Sequence, residues 1–277
     1  MEKDQSTCDH NCGNCSVENC GSRGIEKLKP HELSNIKKTI AIISGKGGVG
    51  KSLVTTLVAV SLKNKGYKVG ILDADVTGPS IPQAFGFKAY LCDGDENGIY
   101  PALTKNKMPI ISSNLLLENP SAPLVWRGPM ISNLVSQLYS QVIFGELDYL
   151  LIDMPPGTGD VPLTVFQQIP VDGCIVVSSP QDLVSLVVSK SVNMADEMHI
   201  PMLGLVENMA YVKCPHCGEK IDLFGEDKIQ KIAEEYKLPL LAELPLDSNF
   251  RKLIDEGRAE DYRGHDFDKA VEAIEKI

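Results

Sequence analysis

Apolar and polar positions along the chain alternate between two textures. Residues 39–44, Thr-Ile-Ala-Ile-Ile-Ser, form a short unbroken apolar run, the pattern of a strand covered on both faces. Similar runs follow at 69–73, 149–153, 173–178, 203–208 and 239–244. Longer stretches with helical spacing lie between them. The stretch 51–63 puts Leu53, Leu57, Val58 and Leu62 on one side, and Gly66 suits a helix stop. The stretch 129–144 carries proline in its first turn, where the missing N–H has no helical partner to lose. Stretches 182–198 and 227–235 complete the helical set. Strands separated by helices predict an α/β fold, a mostly parallel sheet with helices on both faces.

Residues 1–24 break this texture. Apart from cysteine, their only strongly apolar residues are Met1 and Val17, and Asp, Asn, Ser and Gly fill the gaps. Such a segment buries too little surface to offset its ordering entropy, so a mobile tail is expected unless a metal organises it. Residues 25–36 read as a linker with room for a short helix. The expected organisation is a Cys-rich tail and linker over 1–36 and one folded domain over 37–277.

Length and charge narrow the function. A chain of 277 residues buries roughly 75% of its extended surface and needs no disulfide to hold a core. No apolar run approaches the ~18 residues of a membrane span. The start, Met1-Glu2-Lys3-Asp4, lacks the basic-then-apolar layout of an export signal, so the cytoplasm is the expected location. Lys plus Arg is 27 against 37 Asp plus Glu, a net charge of −10. That balance argues against nonspecific nucleic-acid or anionic-lipid binding, and neither partner is expected.

Between the first strand and the first helix lies Ser44-Gly45-Lys46-Gly47-Gly48-Val49-Gly50-Lys51-Ser52. Gly45, four residues, Gly50, Lys51 and Ser52 fit the phosphate-loop pattern. Glycines let backbone N–H groups turn inward around an anion, and the following helix adds its positive end. Lys51 is expected to reach the β- and γ-phosphates of a nucleotide, and Ser52 to join a magnesium shell. Phosphoryl transfer also needs a fixed cation and a positioned water. Asp153, directly after an apolar run, is the expected magnesium-side acid. Asp73 and Asp75 leave the second strand two residues apart, which in an extended segment puts both on one side. Gly157 and Gly159 permit a loop whose N–H groups could sense the γ-phosphate. Asp160 is expected to cap the next helix.

Eight cysteines stand at 8, 12, 15, 20, 92, 174, 214 and 217. In a reducing compartment, clustered thiols point to metal or redox chemistry rather than bridges. Cys214 and Cys217, three positions apart on a turn, can share one metal. Soft tetrahedral metals want four ligands, which two chains related by a two-fold would supply. A bridging iron–sulfur cluster, a structural zinc and a redox pair all remain open for them, and His216 is expected to be an exposed turn residue. Cys8, Cys12, Cys15 and Cys20 are a complete ligand set for one cluster or one zinc, with His10 able to replace one thiol. Cys174 is expected to be a small core residue, and Cys92 receives no role.

The second lysine inside the loop, Lys46, resembles the deviant phosphate loop of dimerising ATPases related to septum-site, partition and nitrogenase iron proteins. That resemblance implies that Lys46 reaches across a dimer interface to the partner's nucleotide. Three longer segments are similar to the Mrp family: 73–82 (Asp-Ala-Asp-Val-Thr-Gly-Pro-Ser-Ile-Pro), 126–130 (Trp-Arg-Gly-Pro-Met) and 153–160 (Asp-Met-Pro-Pro-Gly-Thr-Gly-Asp). These are ATP-binding iron–sulfur cluster carriers, including ApbC-type proteins and cytosolic cluster-assembly scaffolds. The resemblance, from about Lys38 to the C-terminus, implies a P-loop NTPase fold and a homodimer that binds and hydrolyses Mg-ATP. It implies that Asp75 orients the attacking water and that Asn208 hydrogen-bonds the adenine. It also implies a 4Fe–4S cluster bridged by two Cys214–Cys217 pairs, received from a donor and handed to apo iron–sulfur proteins. The scaffold subgroup has four N-terminal cysteines too, but with a much longer first gap than here. Two rival readings share the motifs: an electron-transfer ATPase of the nitrogenase iron-protein type, and a partition or septum ATPase with structural zinc. The single short late cysteine pair disfavours the first, and the short, mixed-charge ending over 266–277 disfavours the second.

Overall fold

A computed structural model describes residues 26–76, 78–87, 92–117, 128–180, 184–214, 216–223 and 228–277. The tail residues Cys8, His10, Cys12, Cys15 and Cys20, and Trp126 of the family-like segments, lie outside these described residues.

The unbroken apolar runs become the centre of the sheet. Strand β1 (Asn35–Ile43) ends in five successive buried residues, the signature of cover on both faces. The phosphate loop follows, then helix α1 (Lys51–Asn64), strand β2 (Val69–Asp73) and the short helix α2 (Ile81–Ala84). A small antiparallel hairpin, β3 (Asp93–Asp95) and β4 (Gly98–Tyr100), precedes β5 (Ala102–Leu103) and β6 (Pro109–Ser112). Then come α3 (Gly128–Ser140), β7 (Glu146–Asp153), α4 (Asp160–Gln168), β8 (Gly173–Ser178), α5 (Val184–Glu197) and β9 (Met202–Lys213). The chain closes with β10 (Lys220–Ile221), α6 (Lys228–Tyr236), β11 (Leu240–Pro245), α7 (Ser248–Asp255) and α8 (Asp268–Glu275).

Seven strands run parallel in the order β11–β9–β8–β1–β7–β2–β6. The short β5 and β10 add antiparallel pairs, β5 to β6 and β10 to β9. β1 therefore lies between β7 and β8, strands that come after it in the chain on either side. That reversal of strand order opens a crevice at the carboxyl ends of the strands, where open α/β sheets bind ligands.

Several boundaries differ from the pattern reading. β1 begins at Asn35, inside the expected linker, because Lys37 and Lys38 extend the pairing and bind Asp148 at 2.7 Å and Asp172 at 3.1 Å. Residues 26–34 hold no helix. α1 is buried nearly all round, with Val54, Thr55, Thr56, Ala59 and Val60 joining Leu57, Val58 and Leu62, while Leu53 is only half-buried. It packs against the sheet on one side and against α2 and α8 on others, so no single apolar stripe describes it. α3 stops at Ser140 because Val142 leaves to bridge Ile99. β9 continues five residues past Asn208.

Candidate nucleotide and metal site

The loop between β1 and α1 takes its shape from local chemistry. Gly48 and Gly50 have φ of 81° and 83°, left-handed values that side-chain-bearing residues resist. Gly45 is glycine for another reason: an added Cβ would collide with Val187 of α5, whose carbonyl oxygen lies 2.5 Å from that position. The loop is also tied from outside, since the Gly157 N–H donates to the Ser44 carbonyl at 2.8 Å. That amide, expected to sense a γ-phosphate, thus fastens the loop after β7 to the phosphate loop. Lys46 is exposed on the rim.

Three side chains of α1 converge on Asp153, which is fully buried at the end of β7. Ser52 Oγ donates to Oδ2 at 2.6 Å, Thr55 Oγ1 approaches Oδ1 at 2.7 Å, and Lys51 Nζ pairs with Oδ1 at 2.8 Å. Asp75 Oδ2 is 3.9 Å from the same Lys51 nitrogen. The expected set Lys51, Ser52, Asp75 and Asp153 is therefore brought to one place. The donor chemistry suits a triphosphate and a hard divalent cation. A hydroxyl and a carboxylate oxygen sit side by side, and the glycine loop leads into the first turn of a helix, whose N–H groups have no intrahelical acceptors.

The sequence pattern does not single out Thr55, and it gives Asp73 a side but no role of its own. Thr55 lies one helical turn beyond Lys51, a spacing that could have flagged it. Asp73 pairs in register with Asp153 on the adjacent strand. Its Oδ2 accepts from Ser112 Oγ at 3.1 Å, and its Oδ1 accepts from the Asp75 N–H at 3.2 Å. Burial, then the nearby Asp153 charge, hold the Asp73 carboxyl well above the usual carboxylate range. Asp73 and Asp75 both stay within reach of the Lys51 charge, although only Asp73 belongs to the strand. The strand ends at Asp73, which holds the backbone of Asp75.

Asn208 is buried beneath the loop. Its Nδ2 donates to the Val49 carbonyl at 2.9 Å, and its Oδ1 accepts from the Met209 N–H at 3.0 Å. The side chain therefore braces the phosphate loop. Asp160 does not cap α4. The cap position is Gly159, and the Asp160 carboxylate turns toward α3, where a Cβ on Gly128 would come 2.5 Å from its Oδ2.

Cys214 directly follows β9, and the chain returns along β10, so Cys214 and Cys217 occupy the tip of a hairpin. The turn is fixed by the Gly218 N–H donating to the Cys214 carbonyl and the Cys214 N–H donating to the Glu219 carbonyl, both at 2.9 Å. Cys214 is half-buried, while His216 and Cys217 are exposed. Backbone N–H groups of Cys217 and His216, together with the Cys217 thiol, pull the Cys214 thiol below its ordinary pKa, favouring the thiolate that binds metals. Among the described residues no three His, Cys, Asp or Glu side chains gather as a complete metal cage, so this pair offers two ligands from one chain. Cys174 and Cys92 are core residues.

The family model for ParA, described as the NUBPL iron-transfer P-loop NTPase, matches residues 35–277. The chain belongs to this family. A curated relative from Clostridium perfringens, named iron-sulfur cluster carrier protein, is 43% identical over 258 residues, covering 91% of this chain and 90% of its own. A protein of the same name from Methanocaldococcus jannaschii is 42% identical over 257 residues, with 90% and 89% covered. Among solved structures, the nucleotide-binding protein from Archaeoglobus fulgidus in complex with ADP is 45% identical. It superposes with a TM-score of 0.75 over 84% of this chain and 90% of that one. The cell division ATPase MinD of Pyrococcus furiosus shares the fold at 23% identity, with a TM-score of 0.59 over 87% and 99%. Among the described residues, no helix is long and apolar enough to cross a membrane.

Proposed function

We propose that this chain is an ATP-dependent carrier of 4Fe–4S clusters that acts as a homodimer. The observation that carries this reading is the continuity of β9. Asn208 in that strand holds the phosphate loop, and the same strand ends at the paired thiols Cys214 and Cys217. Relatives named as iron–sulfur cluster carriers and a relative bound to ADP support both halves of it.

In this reading the backbone of Gly45, Gly47, Gly48, Val49 and Gly50 cradles the phosphates. Lys51 leaves Asp153 for the β- and γ-phosphates, and Ser52 and Asp153 hold the magnesium, which neutralises developing phosphate charge. Asp75 positions the attacking water, and Lys46 of one protomer reaches the nucleotide of its partner. Asn208 hydrogen-bonds the adenine with the amide capacity left after bracing Val49. The cluster is cargo: two Cys214–Cys217 pairs supply its four thiolates, and apo iron–sulfur proteins receive it. Cys8, Cys12, Cys15 and Cys20 would hold a second cluster. Nucleotide shifts the dimer toward closure only by binding the closed form more tightly, and closure changes the geometry of the thiol pairs.

The test is cluster transfer to an apo-ferredoxin under anaerobic conditions, with and without Mg-ATP. Wild type should respond to nucleotide, Lys51→Ala should lose the response, and Cys214→Ala/Cys217→Ala should lose transfer. Transfer by Lys51→Ala that matches wild type in the presence of Mg-ATP would refute the coupling.

A further inference from the structure

At the far end of α1 from the phosphate loop lies a basic cleft in an otherwise acidic protein. We propose that this cleft is a docking surface for an acidic polypeptide segment that carries apolar side chains. It is independent of the nucleotide and cluster assignments.

Two adjoining clefts of about 480 Å³ each share Lys63 and Lys107. One adds Lys105 and Arg263, the other Lys68. Glu146 lines the second, and Glu260 lies beneath the first, where its carboxylate accepts from Thr104 Oγ1 at 2.6 Å and from the Asn106 N–H. Five cations thus face Glu146 and Glu260, with Asp148 beside Lys68, in a chain whose net charge is −10. Lys37, Lys38, Lys65 and Lys220, by contrast, each pair with an acid. Among the described residues, the ammonium groups of Lys63, Lys105 and Lys107 make no ion pair or hydrogen bond, and Lys68 has only the nearby Asp148 charge. Lys63 has a bland role at the negative end of α1. Lys105 and Lys107, on the turn between β5 and β6, have none.

The cleft also offers apolar anchors. Tyr100 is 41% exposed and Leu103 59% exposed, both on its wall. Cations around exposed apolar groups match a peptide of mixed acidic and apolar character, because charge steers the encounter and apolar contact retains it. A long polyanion fits less well, because Glu146 and Glu260 interrupt the cations and Asp148 stands beside Lys68. The cleft lies at the amino ends of β2 and β6, and α1 places Lys63 about 18 Å from Lys51. A segment docked there leaves the phosphate loop and the cysteine turn open.

The test is fluorescence anisotropy of the full-length chain with a fluorescein-labelled glutamate-rich peptide containing leucines. Controls are its all-glutamine counterpart, a single-stranded oligothymidine of equal charge and phosphatidylserine vesicles. Wild type should bind the glutamate peptide, more weakly as salt rises. Lys105→Glu/Lys107→Glu should weaken binding at least ~10-fold, a loss of about 1.4 kcal/mol or more. Lys63→Gln and Leu103→Ser should each weaken it several-fold, with unchanged circular dichroism. Equal binding by these variants, equal binding of the glutamine peptide, or tighter binding of oligothymidine or vesicles would overturn the proposal.

Discussion

The Asn208 carboxamide donates to the Val49 carbonyl across 159 positions of sequence, so the strand that ends at the cysteine turn also braces the phosphate loop. Asn208→Ala leaves a buried carbonyl without its donor, at a cost of about 1–3 kcal/mol. Weaker binding of a fluorescent ATP analogue, by roughly 5-fold or more, is expected alongside a lower melting temperature. Asn208→Asp should be worse, because a carboxylate would face the Val49 oxygen. Unchanged affinity in both variants would remove Asn208 from the site.

The Lys51–Asp153 pair is nearly sealed from solvent, with side-chain exposures of 6% and 0%. Removing one partner of such a pair leaves the other as a buried charge. Asp153→Ala should therefore destabilise the chain by about 3–5 kcal/mol, read by urea unfolding. Lys51→Ala should cost less, because Ser52 and Thr55 still donate to Asp153. Magnesium should stabilise wild type in the presence of nucleotide and leave Asp153→Asn unmoved.

Asp73 gives stability a definite pH sign. Its folded carboxyl titrates well above the ordinary range, chiefly through burial. Between the ordinary carboxylate pKa and that raised value, the folded state holds a proton that the unfolded state has lost. Stability contributed by this group therefore falls as pH rises through that window, by up to about 1.4 kcal/mol per pH unit. The difference between wild type and Asp73→Asn in urea unfolding, measured from pH 4 upward, should shift in favour of the variant as pH rises. A difference that is flat with pH would contradict the assignment.

Thiol reactivity should separate the cysteines by environment. Burial pushes Cys92 up to about 11 and Cys174 up to about 12, so neither ionises near neutral pH. Cys214 is drawn the other way and Cys217 is exposed. Iodoacetamide labelling of the native, metal-free chain, read by peptide mass mapping, should modify Cys214 and Cys217 well before Cys92 and Cys174.

Much of this was written in the sequence because the relevant signals are local. The central strands β1, β2, β7 and β8 appear as unbroken apolar runs because the sheet is covered on both faces there, whereas the four-residue β6 is too short to stand out. The loop from Gly45 to Ser52 shows itself because glycine spacing, lysine and hydroxyl all follow from holding an anion. The hairpin of β3 and β4 does not show, because Asp93, Gly94 and Asp95 are all exposed and carry no apolar alternation. β9 runs past the apolar stretch that ends at Asn208, through Met209 with its left-handed φ of 59°, because Val212 and Lys213 pair with β10. The contacts of Asn208 with Val49, and of Asp73 with Ser112 and Asp75, depend on which strands become neighbours, and no spacing along one segment encodes that.

The most direct test of the account is iron and sulfide content per dimer after anaerobic reconstitution, with mass by light scattering. Wild type, a variant lacking residues 1–25, and Cys214→Ala/Cys217→Ala in that shortened chain are compared. The shortened chain should hold about four iron and four sulfide per dimer, as one 4Fe–4S cluster requires. The double variant should lose both the metal and the cluster-linked dimer. A double variant that keeps its iron, or a cluster held by a monomer of the shortened chain, would contradict the account.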